Sequence, residues 1–239
     1  MKLLRSRNGR VKVPDVLSHA MWKSRSQAWQ SESIPYQQLS LVEQQLSQWE
    51  RGEPVPEFDS LASLMNRIDP PSGYLLEIGS SSGYYARVIR HLQPSVRYLG
   101  VDSSLAFCQL GHARFAPGGL LCGDALKLPF RNQEFEAVVS GSVLLHIEDW
   151  TGALAETLRV SSKSAIIHRT PVTDGRSRTM LKNAYGHRIV EWAFNEHELL
   201  SECARNGFQV DYVVDIGAGT ALSSNVFAPS TRSYLLRRR

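Results

Sequence analysis

Three carboxylates stand in or just after short apolar runs: Glu77 in Tyr74-Leu75-Leu76-Glu77-Ile78, Asp102 after Val96-Arg97-Tyr98-Leu99-Gly100-Val101, and Asp124 after Leu120-Leu121-Cys122-Gly123. Runs of this length and composition predict buried parallel strands, and the ends of such strands are where an open α/β sheet presents its ligand-binding side chains. After Ile78 the chain turns through Gly79, three serines and Gly83; Tyr84, Val88 and Leu92 then keep the spacing of one helix face. A strand, a turn nearly bare of side chains and a helix amino end leave backbone N–H groups free for a ligand with a polar tail. Asp102 lies nineteen residues beyond Gly83, close to where an α/β nucleotide fold places an acid on ribose hydroxyls, and one carboxylate can accept from both hydroxyls.

Glycine spacing separates the ligand classes. A dinucleotide turn, GxGxxG, would need its third glycine at Tyr84, whose ring would block the helix–strand contact. Acid-x-Gly-x-x-x-Gly stands instead, as Glu77, Gly79 and Gly83. This resembles the first motif of the class I S-adenosylmethionine-dependent methyltransferases, acid-x-Gly-x-Gly-x-Gly, with Ser81 in place of the middle glycine. If Ser81 takes a positive φ, the replacement costs about 1 kcal/mol or more. Farther on, GDALKLPFRNQEFEAVVSGSVLLHIEDW resembles the family's small-molecule branch, with Glu136 for the usual aspartate. Ser161-Ser162-Lys163-Ser164 stands where the family usually carries Pro-Gly-Gly. The resemblance covers about residues 72–228, and a fainter one, through Arg169-Thr170-Pro171, is to uncharacterised bacterial methyltransferases.

The resemblance implies S-adenosyl-L-methionine as cofactor. Gly79, Ser81 and Gly83 would close on its tail and ribose, Glu77 would meet the ammonium, and Asp102 with Ser103 beside it would meet the ribose diol. Asp124 suits the adenine amino group, the Ala125 N–H the ring, and Ser140 the border of the methyl. His146, on the loop that faces the methyl in this fold, is the first candidate for a general base, followed by His168 and His187. Structural roles also fit these positions: Glu77 as partner of Arg87, Asp102 and Asp124 as helix caps, and His146 as a ring packed over the cofactor.

Neither Asn/Asp-Pro-Pro-aromatic nor Pro-Cys follows the fourth strand, where Ser140-Gly141-Ser142-Val143 stands. Methylation of base amino groups and of cytosine carbon is thereby disfavoured. The expected acceptor is a small molecule, a glycan or a lipid-linked intermediate, methylated on oxygen. Two alternatives stay open, a catalytically silent methyltransferase-like binding subunit and an RNA-associated methyltransferase.

The elements that must position these residues follow from periodicity. The expected fold is α/β, Rossmann-like, a seven-stranded mostly parallel sheet with helices on both faces and an N-terminal helical extension. Residues 1–14 are expected as a basic arm, 15–70 as helices packing on the sheet edge or roofing the cleft, 71–230 as the methyltransferase domain and 231–239 as a basic tail. Trp22, Trp29, Tyr36 and Trp49 are expected mainly as packing residues. Strand five is expected at Ala165–His168, followed by a polar loop from Arg169 to about Glu191 that walls the substrate. Asn195 should cap a helix through Arg205, and Phe208–Ile216 with Ala221–Phe227 should form a closing hairpin.

In 239 residues, 42% apolar, no run approaches the roughly 20 apolar residues that span a bilayer. Three scattered cysteines without a CxxC pair argue for a reducing cytoplasmic setting and against a zinc site. The formal charge of +4 concentrates at the two ends, where short basic runs are expected as solvated tails and not as a nucleic-acid surface.

Overall fold

The computed structural model describes residues 18–116, 119–218 and 229–239. Among the described residues four helical pieces precede the sheet: α1 (His19–Ser26), a 3-10 turn (Gln27–Gln30), α2 (Ser33–Glu50) and α3 (Pro56–Met65). Pro56 opens α3 with its φ preset for a helix, and Glu57 and Asp59 lie in the first turn, where negative charge opposes the helix dipole.

The apolar runs form β1 (Tyr74–Ile78), β2 (Arg97–Asp102), β3 (Leu120–Cys122), β4 (Phe135–Gly141) and β5 (Ser161–Thr173), parallel and in the order β3-β2-β1-β4-β5. Alternate residues feed opposite cores, as the two-residue period of a strand requires. Leu76, Ile78, Val138 and Ile167 join the core under α6 (Trp150–Val160) and α7 (Glu196–Arg205), with Leu154, Leu158 and Leu199. Leu75, Val139 and Ile166 join the opposite core with Phe58, Leu61 and Leu64 of α3 and Val88 and Ile89 of α4 (Tyr85–Leu92). The third helix of the N-terminal extension is therefore part of the main core, while α1 and the 3-10 turn border the cavity. Helix α5 (Leu105–Arg114) links β2 to β3.

The expected cap at Asn195 forms, and Asp149 caps a second helix. Asp149 Oδ1 accepts from the Gly152 N–H at 3.0 Å to start α6, and Asn195 Oδ1 accepts from the Glu198 N–H at 2.8 Å to start α7. Each such cap contributes about 1 kcal/mol.

The sheet has nine strands, not seven. Strand β8 (Phe208–Ala218) pairs antiparallel with β9 (Ser230–Arg238), which pairs antiparallel with β5, so seven of the strands run β3-β2-β1-β4-β5-β9-β8. The two additional strands, β6 (Arg178–Ala184) and β7 (His187–Asn195), form a hairpin in the stretch expected as an irregular loop. Its turn is Tyr185-Gly186, with φ of 51° and 72°, the mirror-image turn whose twist suits a hairpin. Strand β5 also runs past His168 to Thr173, where it pairs with β7 beyond the end of β4.

The expected basic tail is β9. Arg237 bonds Ser164 Oγ at 2.8 Å and the Arg67 carbonyl, while Arg238 reaches the Leu158 and Ser161 carbonyls at 2.8 and 2.6 Å and lies over the Phe208 ring. These arginines tie the last strand to the domain instead of trailing in solvent. The expected strand Ala221–Phe227 and the arm 1–14 lie outside the described residues.

Candidate cofactor and acceptor cavity

The carboxyl ends of β1, β2, β4 and β5 open on one cavity of about 770 Å³, within the usual size of small-molecule sites. Glu77, Gly79, Ser81, Asp102, Ser103, Asp124, Ala125 and His146 line it. Gly83, Ser140 and His168 do not.

The turn after β1 shows why its sequence is so bare. Gly79 has φ 65°, and a Cβ there would lie 2.4 Å from Val143 Cβ and Cγ2, so only hydrogen fits between the turns after β1 and β4. Ser81 carries the strain foreseen for it, with φ 53°. Its hydroxyl donates to Gln38 Oε1 at 2.5 Å, and its N–H donates to Asp102 Oδ2 at 2.7 Å. Asp102 Oδ1 accepts from the Ser104 N–H at 2.9 Å. Each carboxylate oxygen is thus fixed by one backbone bond and keeps a lone pair for a ligand hydroxyl. Burial raises the Asp102 pKa, and the two N–H bonds oppose that rise.

Gly83, at φ 71°, serves packing: a Cβ there would meet Leu120 Cδ2 at 3.0 Å. Ser140 is 1% exposed, inside β4 below the rim of the cavity. Asp124 Oδ1 accepts from the Leu126 N–H at 2.9 Å, so its carboxylate shapes the turn while it lines the cavity.

Glu77 is buried, and the Tyr98 hydroxyl donates to its Oε2 at 2.5 Å. Desolvation pushes its pKa up to about 8 against that hydrogen bond, which leaves it protonated at neutral pH. The alternative pairing with Arg87 does not occur, because Arg87 binds Glu50 at 2.6 Å.

Across the cavity, His146 ends a 3-10 turn (Leu144–His146) whose placement depends on the contact of Val143 with Gly79. Its Nδ1 lies 3.1 Å from the Val190 carbonyl, and its ring packs at 4.6 Å from that of Trp29. A carbonyl can only accept, so Nδ1 carries the hydrogen and Nε2 keeps its lone pair. Burial lowers the pKa from its ordinary value, with Glu191 opposing. A neutral imidazole with a free Nε2 is equipped to take a proton.

His168 is a core residue. It is fully buried, its Nδ1 lies 2.9 Å from Ser233 Oγ and its ring meets Tyr85 at 5.5 Å. Burial holds its pKa well below the ordinary value, and it has no route to an acceptor.

Several lining residues were not singled out as functional from sequence. Trp29, expected as packing, lies tilted against the His146 ring; Tyr185 stands 6.3 Å from Trp29 at the tip of the unexpected hairpin. Gln38 bridges α2 to Ser81. Among the described residues, four of the five other than glycine with positive φ, namely Ser81, Ser142, Arg169 and Tyr185, line the cavity. Strain of this kind persists where surrounding contacts over-determine the backbone and collects at functional sites.

Residues 76–168 match the family described as "Methyltransferase domain". Residues 76–168 are a class I S-adenosylmethionine-dependent methyltransferase domain. The domain is 35% identical over 95 residues to the ubiquinone/menaquinone biosynthesis C-methyltransferase UbiE of Desulfotalea psychrophila, a match covering 38% of each chain. A demethylmenaquinone methyltransferase of Thermotoga maritima is 21% identical over 166 residues, 65% of this chain and 72% of that one. The chain thus aligns with about two fifths of the first relative's length. Among solved structures, the 1,6-didemethyltoxoflavin-N1-methyltransferase of Burkholderia thailandensis, with bound 1,6-didemethyltoxoflavin and S-adenosylhomocysteine, superposes with a TM-score of 0.58 at 14% identity. That likeness of fold covers 96% of this chain and 94% of the other.

The methyltransferase domain fits S-adenosylmethionine on its own geometry. Gly79 leaves bare backbone at the turn, and Asp102 offers two anchored acceptor oxygens. Among the described residues no cluster suited to a metal ion occurs, and no helix is long and apolar enough to cross a membrane.

Proposed function

We propose that the chain transfers a methyl group from S-adenosylmethionine to a planar hydroxyaromatic small molecule, with His146 removing the hydroxyl proton. One observation carries this reading. The free Nε2 of a neutral histidine lies in an aromatic wall, with Trp29 against it, in the same cavity as Glu77, Asp102 and Asp124. When bound, S-adenosylmethionine supplies an activated methyl on its sulfonium. Asp102 accepts from the ribose hydroxyls, and Asp124 and the Ala125 N–H meet the adenine. Glu77 meets the ammonium. Trp29 and Tyr185 hold a flat ring by stacking, and His146 Nε2 takes the proton whose loss makes that ring nucleophilic.

Deprotonating a ring hydroxyl activates both its oxygen and the conjugated ring carbons. The oxygen acceptor expected from sequence is therefore widened to the hydroxyaromatic as a whole. The relatives' own activities by name, those of a C-methyltransferase and a demethylmenaquinone methyltransferase, support a ring carbon as the receiving atom.

The test is transfer of labelled methyl from S-adenosylmethionine to a panel of naphthols, naphthohydroquinones and hydroxybenzenes. The wild-type protein should label at least one class, and His146→Gln should lower kcat about 10²- to 10⁴-fold while S-adenosylhomocysteine binding stays within about 2-fold. Absence of S-adenosylhomocysteine binding, or labelling that His146→Gln leaves unchanged, refutes the assignment.

A further inference from the structure

Arg169 stands in the cavity wall and has no role in the reading above. It follows His168 at the end of the core section of β5, and its backbone is in the left-handed region, φ 56°. For a long side chain that conformation costs about 1–3 kcal/mol, so neighbours must hold it. They do: its N–H donates to Ser233 Oγ at 3.1 Å, and its carbonyl accepts from Ser142 Oγ at 3.5 Å. The backbone is thus fixed from β9 on one side and from the turn after β4 on the other.

The guanidinium hydrogen-bonds Tyr85 and has Tyr84 and Glu57 close enough to favour its charge. Arg159, Arg205, Arg232 and Arg237 all form ion pairs, yet Arg169 enters none of those seen among the described residues. Glu57 acts on the guanidinium only through its charge and forms no ion pair with it among the described residues, and Glu77 is engaged by Tyr98 with its pKa pushed up to about 8. Arg169 is partly buried in the cavity wall, and a partly desolvated cation without a carboxylate in contact gains when an anion arrives to pair with it.

We infer that Arg169 is a carboxylate-binding residue of the cavity, its guanidinium taking a ligand carboxylate through paired N–H bonds. This rests on the methyltransferase reading of the same cavity. Guanidinium geometry matches a carboxylate with two parallel hydrogen bonds, and the neighbouring tyrosine hydroxyls can donate to the same anion. Two ligands can bring that group. Tyr84, next to Gly83 in the cofactor turn, places Arg169 near the methionine tail, whose carboxylate has no other assigned partner. His146 titrates under the charge of Arg169, which places it near the acceptor as well.

Calorimetric titration of wild type, Arg169→Gln and Arg169→Lys separates these sources. The probes are S-adenosylhomocysteine, methylthioadenosine, which lacks the amino-acid tail, and, on protein saturated with S-adenosylhomocysteine, salicylate and salicylamide. If the tail is the source, Arg169→Gln weakens S-adenosylhomocysteine roughly 10- to 150-fold, leaves methylthioadenosine within about 2-fold, and Arg169→Lys recovers part of the loss. If the acceptor is the source, wild type prefers salicylate to salicylamide and Arg169→Gln abolishes that preference. A folded Arg169→Gln protein, judged by an unchanged melting transition, that binds S-adenosylhomocysteine as wild type does and shows no altered salicylate preference overturns the inference. Failure of wild type to bind both S-adenosylhomocysteine and methylthioadenosine overturns the methyltransferase reading and this inference with it; binding of both by wild type leaves Arg169 alone on trial.

Discussion

Ser81 and Gln38 allow a quantitative test of how this domain tolerates serine where its family carries glycine. The strain at φ 53° is worth about 1 kcal/mol or more, and the hydroxyl bond to Gln38 Oε1 at 2.5 Å returns about 0.5–1.5 kcal/mol. Replacing Ser81 with glycine removes both terms and adds about 0.5–1 kcal/mol of unfolded-chain entropy, so Ser81→Gly should change stability by less than about 1 kcal/mol. Gln38→Ala removes the compensation, worth about 0.5–1.5 kcal/mol, together with the long 3.5 Å bond from Gln38 Nε2 to the Tyr185 hydroxyl. In the Ser81→Gly background the same Gln38→Ala change should cost only what the Tyr185 bond is worth, because the bond to Ser81 is already gone. The double-mutant cycle should therefore return a coupling of about 0.5–1.5 kcal/mol, from which the entropy of glycine cancels. Urea unfolding measures the stability cycle. Titration with S-adenosylhomocysteine measures a parallel one, in which Gln38→Ala weakens binding about 2- to 12-fold because the turn loses its brace, and Ser81→Gly restores it. Strictly additive effects in both cycles would show that Gln38 does not hold the turn.

Three other outcomes follow from the geometry. Glu77, with a folded pKa of about 8 against about 4.3 in the unfolded chain, keeps a proton that unfolding releases. Its contribution to stability is fully present below about pH 4.3 and lost as pH rises through 8, so Glu77→Gln should flatten the decline of unfolding free energy between pH 5 and pH 8 in urea titrations. An ammonium bound beside Glu77 should expel that proton, so S-adenosylhomocysteine binding at pH 7 should release close to one proton, measured by calorimetry in buffers of different ionisation enthalpy. Because His146 has its pKa lowered by burial, the acid limb of kcat/KM should lie below the range of an ordinary histidine, and His146→Gln should abolish it. Asp102→Ala should weaken S-adenosylhomocysteine binding at least 10-fold, since it removes ligand acceptors and frees the Ser81 and Ser104 N–H groups together; an unchanged affinity would show that the ribose lies elsewhere.

The residues that were legible in advance are those whose signal is local. Five parallel strands, the cap at Asn195, and the gathering of Glu77, Asp102 and Asp124 on one cavity all follow from short apolar runs and the turns that end them. The β6–β7 hairpin was hidden because its first strand is polar, Arg178-Thr179-Met180-Leu181-Lys182-Asn183-Ala184, and because Tyr185-Gly186 is a weaker turn signal than Asn-Gly. Strand β9 was hidden by its arginines, whose charges are taken up by carbonyls that only the folded chain brings near. Gln38 and Arg169 act through partners 43 and 64 residues away, a distance at which no periodic pattern speaks. Trp29 has the composition of a packing residue, and its contact with His146 depends on the path of α1 over β7.

The 2.4 Å separation between an added Cβ at position 79 and the Val143 side chain means that the two halves of the cavity share a hinge pin. A residue larger than glycine at 79 would drive the segment carrying His146 outward, so damage to the turn after β1 should surface as misplacement of the imidazole proposed as the base. Conversely, trimming Val143 would let the cofactor turn sag toward the acceptor. Redesign of substrate preference in this protein must therefore move both loops in concert.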